Sequence, residues 1–203
     1  MSAFLFILLT AAAFLLGSIP FGLVIARTFK GIDPRKEGSG NIGSTNVART
    51  CGLPLGLLTL FCDIMKGLLP SLLAVHCLPS ALMQSAVALA AVLGHVKSPF
   101  LSFRGGKGVA TTIGALIPLA FWPLLCAVIC CLAVIAATRY VSLGSMVMAA
   151  SLSLFYMLFG RFDLLPLGLI LLAFILWTHR ANIVRLLHGQ ENKFLDKKNA
   201  PKP

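Results

Sequence analysis

Long apolar stretches alternate with short polar or basic segments along the chain. Six stretches are apolar: residues 3–26, 51–77, 81–96, 109–137, 146–159 and 164–178. A helix that crosses a membrane needs about 20 mostly apolar residues. The first, second and fourth stretches exceed that length. The pattern therefore predicts an all-α, polytopic membrane protein.

The composition supports this fold class. Only 11% of the residues are charged and 58% are hydrophobic, and the mean hydropathy is +0.94. A soluble domain has about 25% charged residues, so this chain has too little charge to cover a water-facing surface. Its 203 residues suit one domain. We predict a single transmembrane domain over residues 1–203, with a flexible basic tail from about residue 192.

The charge balance predicts an orientation in the membrane. The chain has 17 Lys and Arg residues against 6 Asp and Glu residues, and the basic residues lie between apolar stretches and in the tail. Nucleic-acid binding is one explanation of a basic chain, but Lys and Arg in such loops are typical of the cytoplasmic side of membrane proteins. We therefore expect membrane lipid and no nucleic acid as a partner. The N-terminus is expected outside and the C-terminus in the cytoplasm.

The same charge rule constrains the number of crossings. The basic segment 97–107 and the basic tail share the cytoplasmic side only if an even number of crossings separates them. Three apolar stretches lie between them, so we expect residues 109–137 to turn back at Pro118–Pro123, as two short helices or a re-entrant hairpin, because proline breaks helices. This predicts about seven helical segments, two of them short, with five full spans as the alternative. Four polar segments then share one membrane face: residues 30–50, 97–112, 138–145 and 179–191.

The first polar segment contains a glycine pattern typical of dinucleotide-binding turns. Gly38, Gly40 and Gly43 spell G-x-G-x-x-G, with Asp63 at the position of the ribose-binding acid. That turn works only between a strand and a helix, whereas Asp63 lies inside an apolar stretch, so we reject this interpretation. A solvated loop is the alternative to a pocket wall. The candidate pocket residues can donate hydrogen bonds or bind an anion: Ser39, Asn41, Ser44, Thr45, Asn46 and Arg49.

The second polar segment, "SFRGGKGVATT" at 102–112, predicts a phosphate-binding turn. Gly105, Gly106 and Gly108 surround Lys107, and an apolar helix follows. Free N–H groups at a helix N-terminus bind anions, and the lysine adds a full charge. The segment is not a P-loop, because Leu101 replaces that motif's first glycine. A surface turn with snorkelling cations is the alternative.

The third and fourth polar segments each contribute candidate site residues. Ser142 offers a hydroxyl group, although "RYVSLGS" alone favours a structural role for it. His179, Asn182 and Arg185 share a helical face at three-residue spacing.

Charged and polar residues inside the apolar stretches allow two interpretations. Asp63 and Lys66 are three residues apart and form either a structural ion pair or a device that positions the site loops. We expect His76 and His95 to be structural, and the six cysteines to be small buried apolar side chains.

Several common catalytic patterns are missing from the sequence. None of the six acidic residues pairs with another at metal-ligand spacing, and G-x-S-x-G and H-x-x-x-x-D are both absent. We therefore expect no metal and no cofactor. The remaining site has cations, amides and hydroxyl groups but no evident nucleophile or carboxylate base, which suits phosphorylated substrates with stored reactivity.

Four motifs in order resemble the bacterial acyl-phosphate:glycerol-3-phosphate acyltransferases. They are "GSGNIGSTNVAR" (38–49), "GHVKSPFLSFRGGKGVAT" (94–111), "RYVSLGS" (139–145) and "HRANIVRLL" (179–187). The resemblance implies acyl transfer from acyl phosphate to the sn-1 hydroxyl of glycerol 3-phosphate, giving lysophosphatidate and phosphate. It also implies a bacterial cytoplasmic (inner) membrane protein with its active site at the cytoplasmic face.

The resemblance also implies roles for individual residues. The expected catalytic residues are Lys107, Ser142 and His179. The expected substrate-binding residues are Ser39, Asn41, Thr45, Asn46, Arg49, Gly105, Gly106, Gly108 and Asn182. The chain departs from the family pattern at Ile42, Ser44 and Ala181, where members often have Pro, Ala and Glu. The general base stays open between a substrate phosphate and His179.

Two other classes of protein remain alternatives. A transporter or binding protein for organic phosphates would explain the cationic pocket and the spans, and it predicts polar groups at mid-membrane depth or on both faces. A structural membrane subunit would leave the four polar segments unexplained.

Overall fold

All regular secondary structure in the described part of the chain is helical. The computed structural model describes residues 2–194, and only the backbone of residue 2. The α-helices are α1 Ser2–Ser18, α2 Phe21–Lys30, α3 Ser44–Cys51, α4 Leu53–Cys77, α5 Ala81–Val96, α6 Val109–Leu116, α7 Phe121–Thr138, α8 Val141–Leu158, α9 Leu165–Thr178 and α10 Arg180–Leu187. The predicted all-α class is confirmed. Most of the predicted flexible tail lies outside the described residues.

Five helical segments are long and apolar enough to cross a membrane. They are Ala3–Lys30, Leu53–Cys77, Ala81–Leu101, Phe121–Thr138 and Val141–Leu158. A sixth arises if Phe162–Thr178 and Arg180–Leu187, which bend by 62° at residue 179, count as one span. The chain is thus a polytopic helical membrane protein, and the predicted number of seven segments stays a prediction.

The first span is broken near its middle, which the apolar pattern did not predict. α1 ends at Ser18 and α2 begins at Phe21, because Pro20 has no N–H group to continue the helix. The freed carbonyl oxygens find side-chain donors elsewhere in the fold. Ser98 Oγ donates to Ser18 O at 2.6 Å, and Lys66 Nζ donates to Ile19 O at 2.8 Å.

The stretch 109–137 is interrupted where the prolines predicted it. α6 ends at Leu116 and α7 begins at Phe121. Arg161 Nη1 donates to Leu119 O at 2.7 Å, so the loop after α8 holds the connection between α6 and α7. α6 has only 8 residues, whereas α7 has 18 and is not short.

Close packing between α4 and α6 fixes the position of the second polar segment. A Cβ atom at Gly67 would lie 2.2 Å from Thr111 O, and one at Gly114 would lie 1.9 Å from Ile64 O. Small residues let membrane helices approach this closely. The N-terminus of α6, and with it Lys107, is therefore held against α4.

Candidate active site

All four polar segments meet at one cavity of about 370 Å³. The predicted site residues that line it are Ser39, Asn41, Thr45, Asn46, Arg49, Lys107, Gly108, Ser142 and His179. Gly105, Gly106 and Asn182 lie behind this lining. We call residues 34–43 the first glycine loop and residues 102–108 the second glycine loop.

The first glycine loop is organised by Asn46. The buried Asn46 amide nitrogen donates to Pro34 O at 2.8 Å, Glu37 O at 3.1 Å and Asn41 O at 2.8 Å. Its Oδ1 accepts from Ser39 N at 2.8 Å. The polar atoms of this side chain therefore all bind the protein itself, which favours a role for Asn46 in shaping the loop.

Arg49 presents an unpaired cation to the cavity. It lies on α3, is half-buried, and forms no hydrogen bond or ion pair within residues 2–194. Burial lowers its pKa, and the charge of Glu191 partly offsets this. A guanidinium in this position is available for an anionic ligand.

The second glycine loop is attached to the end of α5. Gly105 N donates to Val96 O at 2.9 Å and Gly106 N donates to His95 O at 3.1 Å. Sequence reasoning had assigned these amides to an anion, but in the structure they bond the protein. The amides of Lys107 and Gly108 form no hydrogen bond within the described chain.

The Lys107 side chain reaches Asn182 across the cavity. Its Nζ donates to Asn182 Oδ1 at 2.6 Å, and its main-chain oxygen accepts from Thr178 Oγ1 at 3.2 Å. Burial lowers the pKa of Lys107 to about 8, while the charge of Glu191 opposes this shift. Lys107 is therefore protonated at neutral pH and close to its titration range.

Glu191 is a site residue that sequence reasoning missed. Its carboxylate accepts from Ser142 Oγ at 2.8 Å, Asn182 Nδ2 at 2.6 Å and Arg185 Nε at 2.7 Å. Burial raises its pKa, but these three donors outweigh burial and leave the pKa below its usual value. The site therefore includes a carboxylate that sequence reasoning did not name, and three donors from the protein occupy it.

A chain reversal at Gly189 brings Glu191 back to the site. Gly189 follows α10 with a φ of 67°, and glycine after a helix is a typical signal of such a reversal. This glycine was the one sequence signal that could have located Glu191.

His179 occupies the bend between α9 and α10. The residue is buried, and its Nδ1 lies 2.9 Å from Ile175 O. A carbonyl oxygen only accepts, so we assign the proton to Nδ1. The Nε2 atom then carries a lone pair in a residue that lines the cavity.

The cavity continues from its polar end into an apolar arm. The side chains of this arm come from α4, α6, α7 and α8: Leu57, Leu60, Ile113, Leu132, Ile135 and Met148. Leu57 is 54% exposed and Leu132 is 58% exposed. Because both lie on membrane-spanning helices, the arm borders the lipid.

The chain matches a protein-family model over most of its length. The model is described as glycerol-3-phosphate acyltransferase and matches residues 7–189. A protein of that name from Desulfovibrio desulfuricans is 52% identical over 193 residues, which cover 95% of this chain and 86% of that protein. One from Nitratidesulfovibrio vulgaris is 49% identical over 187 residues, which cover 92% of this chain but only 57% of that longer protein.

Solved structures resemble the fold at similar coverage. The crystal structure of PlsY (YgiH), an integral membrane glycerol 3-phosphate acyltransferase, in its glycerol 3-phosphate form has a TM-score of 0.89. It is 41% identical to this chain, and the match covers 93% of this chain and 95% of that one. The lysophosphatidic acid form of the same protein has a TM-score of 0.87 and is 40% identical.

Proposed function

This chain belongs to the glycerol-3-phosphate acyltransferase family, and we propose that it transfers a fatty acyl group from acyl phosphate to the sn-1 hydroxyl of glycerol 3-phosphate. The products are lysophosphatidate and phosphate. The observation that carries this function is a single cavity with two cations at one end and an apolar arm at the other. Such a cavity suits a phosphorylated polar substrate together with a fatty acyl chain.

The polar end binds the phosphate groups. Arg49 has no hydrogen-bond or ion-pair partner in the described chain, and the Lys107 ammonium group bonds only Asn182 there. The free amides of Lys107 and Gly108 lie beside these cations at the start of α6. Cations and helix N-terminal amides together stabilise bound phosphate. They also offset the repulsion between two phosphorylated substrates.

The apolar arm takes the acyl chain. Its walls are side chains of α4 and α7, and its lipid-facing residues Leu57 and Leu132 allow entry from the membrane. Burial of each methylene group contributes about 0.8 kcal/mol, so the chain supplies much of the binding energy. The polar end then orients the reacting groups.

Bringing the two substrates together accounts for most of the rate enhancement, because acyl phosphate is already activated. The sn-1 oxygen attacks the acyl carbonyl carbon and forms the ester bond, and the bond from that carbon to the phosphate oxygen breaks. Holding both substrates in one cavity supplies proximity, and Lys107 stabilises the departing phosphate. Ser142 Oγ donates a hydrogen bond to Glu191. The lone pairs of this oxygen can therefore accept a hydrogen bond from a substrate.

The hydroxyl proton passes either to a substrate phosphate or to Nε2 of His179. The variant His179→Gln separates these two routes, because it removes the imidazole lone pair. Near-normal turnover in this variant excludes His179 as the base. A loss of more than about a hundredfold, the scale of general base catalysis, supports His179.

The membrane topology belongs to the same proposal. We infer seven segments, with α6 and α9 as the short ones at 8 and 14 residues, in a single acyltransferase domain over residues 1–203. The N-terminus lies outside, and the active site lies at the cytoplasmic face of the bacterial inner membrane. The basic segments that surround the cavity support this orientation.

A donor comparison tests the proposed reaction. Purified protein receives glycerol 3-phosphate with palmitoyl phosphate, palmitoyl-CoA or palmitoyl-carrier protein. We expect lysophosphatidate and phosphate in equal amounts from the acyl phosphate alone. No product from that donor would contradict the proposal. Movement of glycerol 3-phosphate across sealed vesicles without acylation would instead support the transporter alternative.

A further inference from the structure

A buried polar cluster lies beneath the second glycine loop and has no part in the chemistry above. Asp63, Lys66 and His95 are 2%, 2% and 4% exposed. Lys66 Nζ lies 2.8 Å from Asp63 Oδ1, so the two charges are paired, and both interpretations of this pair stay predictions. His95 Nδ1 lies 3.6 Å from the same carboxylate oxygen.

This cluster joins the site to the rest of the membrane domain. Lys66 on α4 also donates to Ile19 O at the break between α1 and α2. His95 belongs to the last turn of α5. The cluster therefore connects three spans: the first span at its break, α4 at its two charged residues, and α5 at its C-terminal end.

His95 also touches the second glycine loop directly. A Cβ atom at Gly106 would lie only 2.1 Å from His95 Nε2, so the imidazole ring packs against this glycine. The backbone of the same histidine accepts the Gly106 N–H at 3.1 Å. His95 thus supports the residue that immediately precedes Lys107 through both its ring and its main chain.

Asp63 and His95 also line the cavity itself. His95 Nδ1 is buried without a hydrogen bond in the described chain, whereas Asp63 Oδ1 is paired with Lys66 Nζ. On the other side of the loop, Thr178 bonds the Lys107 carbonyl oxygen. The Lys107 backbone is thus held between α5 and α9.

We propose that His95, which lies beside Asp63, is a positioning residue that sets where Lys107 meets the substrate phosphate. This inference rests on the proposed phosphate-binding role of Lys107. It changes the assignment of His95 from a purely structural residue to one that acts through the second glycine loop. A purely structural His95 would affect the folded fraction but not the affinity for glycerol 3-phosphate.

A compensation experiment tests the contact between His95 and Gly106. The variants are Gly106→Ala, His95→Ala and the double variant. Gly106 does not have a positive φ, so alanine there meets the histidine ring rather than backbone strain. Removing the ring in His95→Ala makes room for the added methyl group.

Gly105 provides the matched control. A Cβ atom at Gly105 would lie 2.0 Å from the main-chain oxygen of His95, not from its ring. The substitution His95→Ala leaves that oxygen in place. Compensation should therefore occur at position 106 and not at position 105.

The readouts are KM for glycerol 3-phosphate, kcat per folded enzyme and the unfolding temperature. We expect His95→Ala to raise KM about tenfold with a smaller change in kcat, as loss of ground-state binding does. Gly106→Ala should raise KM further, and the double variant should return to the His95→Ala value. His95→Asn, which keeps a polar side chain at this position, should raise KM in the same way and replaces His95→Ala if that variant does not fold.

Two results would overturn the proposal. One is an unchanged KM in folded His95→Ala or His95→Asn enzyme. The other is a double variant in which His95→Ala fails to compensate Gly106→Ala, or compensates Gly105→Ala equally well. Failure of the proposed reaction is distinguishable from failure of this proposal. In that case the wild-type enzyme itself would form no lysophosphatidate.

Discussion

The two glycine-rich loops of this protein have similar compositions but are held in different ways. The first glycine loop is held by the helix that follows it, through the Asn46 amide. The second glycine loop is held by distant elements, the end of α5 and the end of α9. The first loop is therefore a local structure, whereas the second depends on the whole membrane domain.

The glycines of the two loops therefore have different structural roles. Gly38 has a φ of 60° and passes close to Asn46, so it serves a turn inside the first loop. Gly105 and Gly106 lie close to His95, so they serve packing between elements. In the second loop the cation that lines the cavity is Lys107, and we expect charge there to control substrate binding. In the first loop we expect hydrogen bonding to control stability.

The largest expected effect is the loss of charge in the second loop. Lys107→Ala should lower kcat/KM by about a thousandfold, since one transition-state donor contributes about 2.7–4 kcal/mol. The unfolding temperature should change little, because Lys107 has only one side-chain partner. Lys107→Arg is the control that keeps the charge. A Lys107→Ala enzyme with wild-type turnover would remove the phosphate-binding role of this loop.

A smaller effect is expected from the first loop, and mainly on stability. Asn46→Asp removes the donors for Pro34 O, Glu37 O and Asn41 O. Each buried acceptor left without a donor costs about 1–3 kcal/mol, so we expect a clear fall in unfolding temperature with loss of activity. Thr50→Val removes the bond from Thr50 Oγ1 to Asn46 O and a weaker contact with Cys51 Sγ, and should cost less. Equal unfolding temperatures of Asn46→Asp and the wild type would contradict the conclusion that the Asn46 side chain holds the first glycine loop.

The pH dependence of kcat/KM tests the role of the Lys107 charge. Burial lowers its pKa to about 8, so the binding-competent ammonium form is lost as the pH rises through that value. We expect kcat/KM for glycerol 3-phosphate to fall about tenfold per pH unit above this range, because this constant reports the free enzyme. Lys107→Arg should lack this fall, since arginine stays charged. If the wild-type and Lys107→Arg enzymes show the same alkaline fall in kcat/KM, the fall is due to a titrating group other than Lys107.

The smallest expected effect comes from Glu191. Its negative charge raises the pKa of Lys107 against the effect of burial, so Glu191→Gln should move the alkaline fall in kcat/KM to a lower pH. Ser142 and Asn182 keep an oxygen acceptor in this variant, whereas Arg185 loses its ion pair. A shift to higher pH, or no shift in folded enzyme, would contradict this electrostatic coupling.

The sequence predicted the features that depend on nearby residues. The helical class, the break before α7 and the convergence of the polar segments follow from apolar length, proline and charge. Lys107, His179 and Ser142 were found because each lies in a polar segment between apolar stretches. Their placement around one cavity agrees with the prediction, while their catalytic roles stay predictions.

The features that sequence reasoning missed depend on contacts between distant residues. Glu191 reaches Ser142 over 49 positions of the chain, and only a folded chain shows that contact. The amides of Gly105 and Gly106 bond to α5, which the spacing of glycines does not reveal. The tight approach of His95 to Gly106 is likewise a property of packing.

Equilibrium binding of glycerol 3-phosphate to the folded variants tests the contrast between the loops most directly. We expect Lys107→Ala to lose nearly all binding while its unfolding temperature stays at the wild-type value. We expect Asn46→Asp to lose binding only to the extent that the protein is unfolded. Wild-type affinity in Lys107→Ala, or weak binding in a fully stable Asn46→Asp, would show that the two loops do not differ in this way.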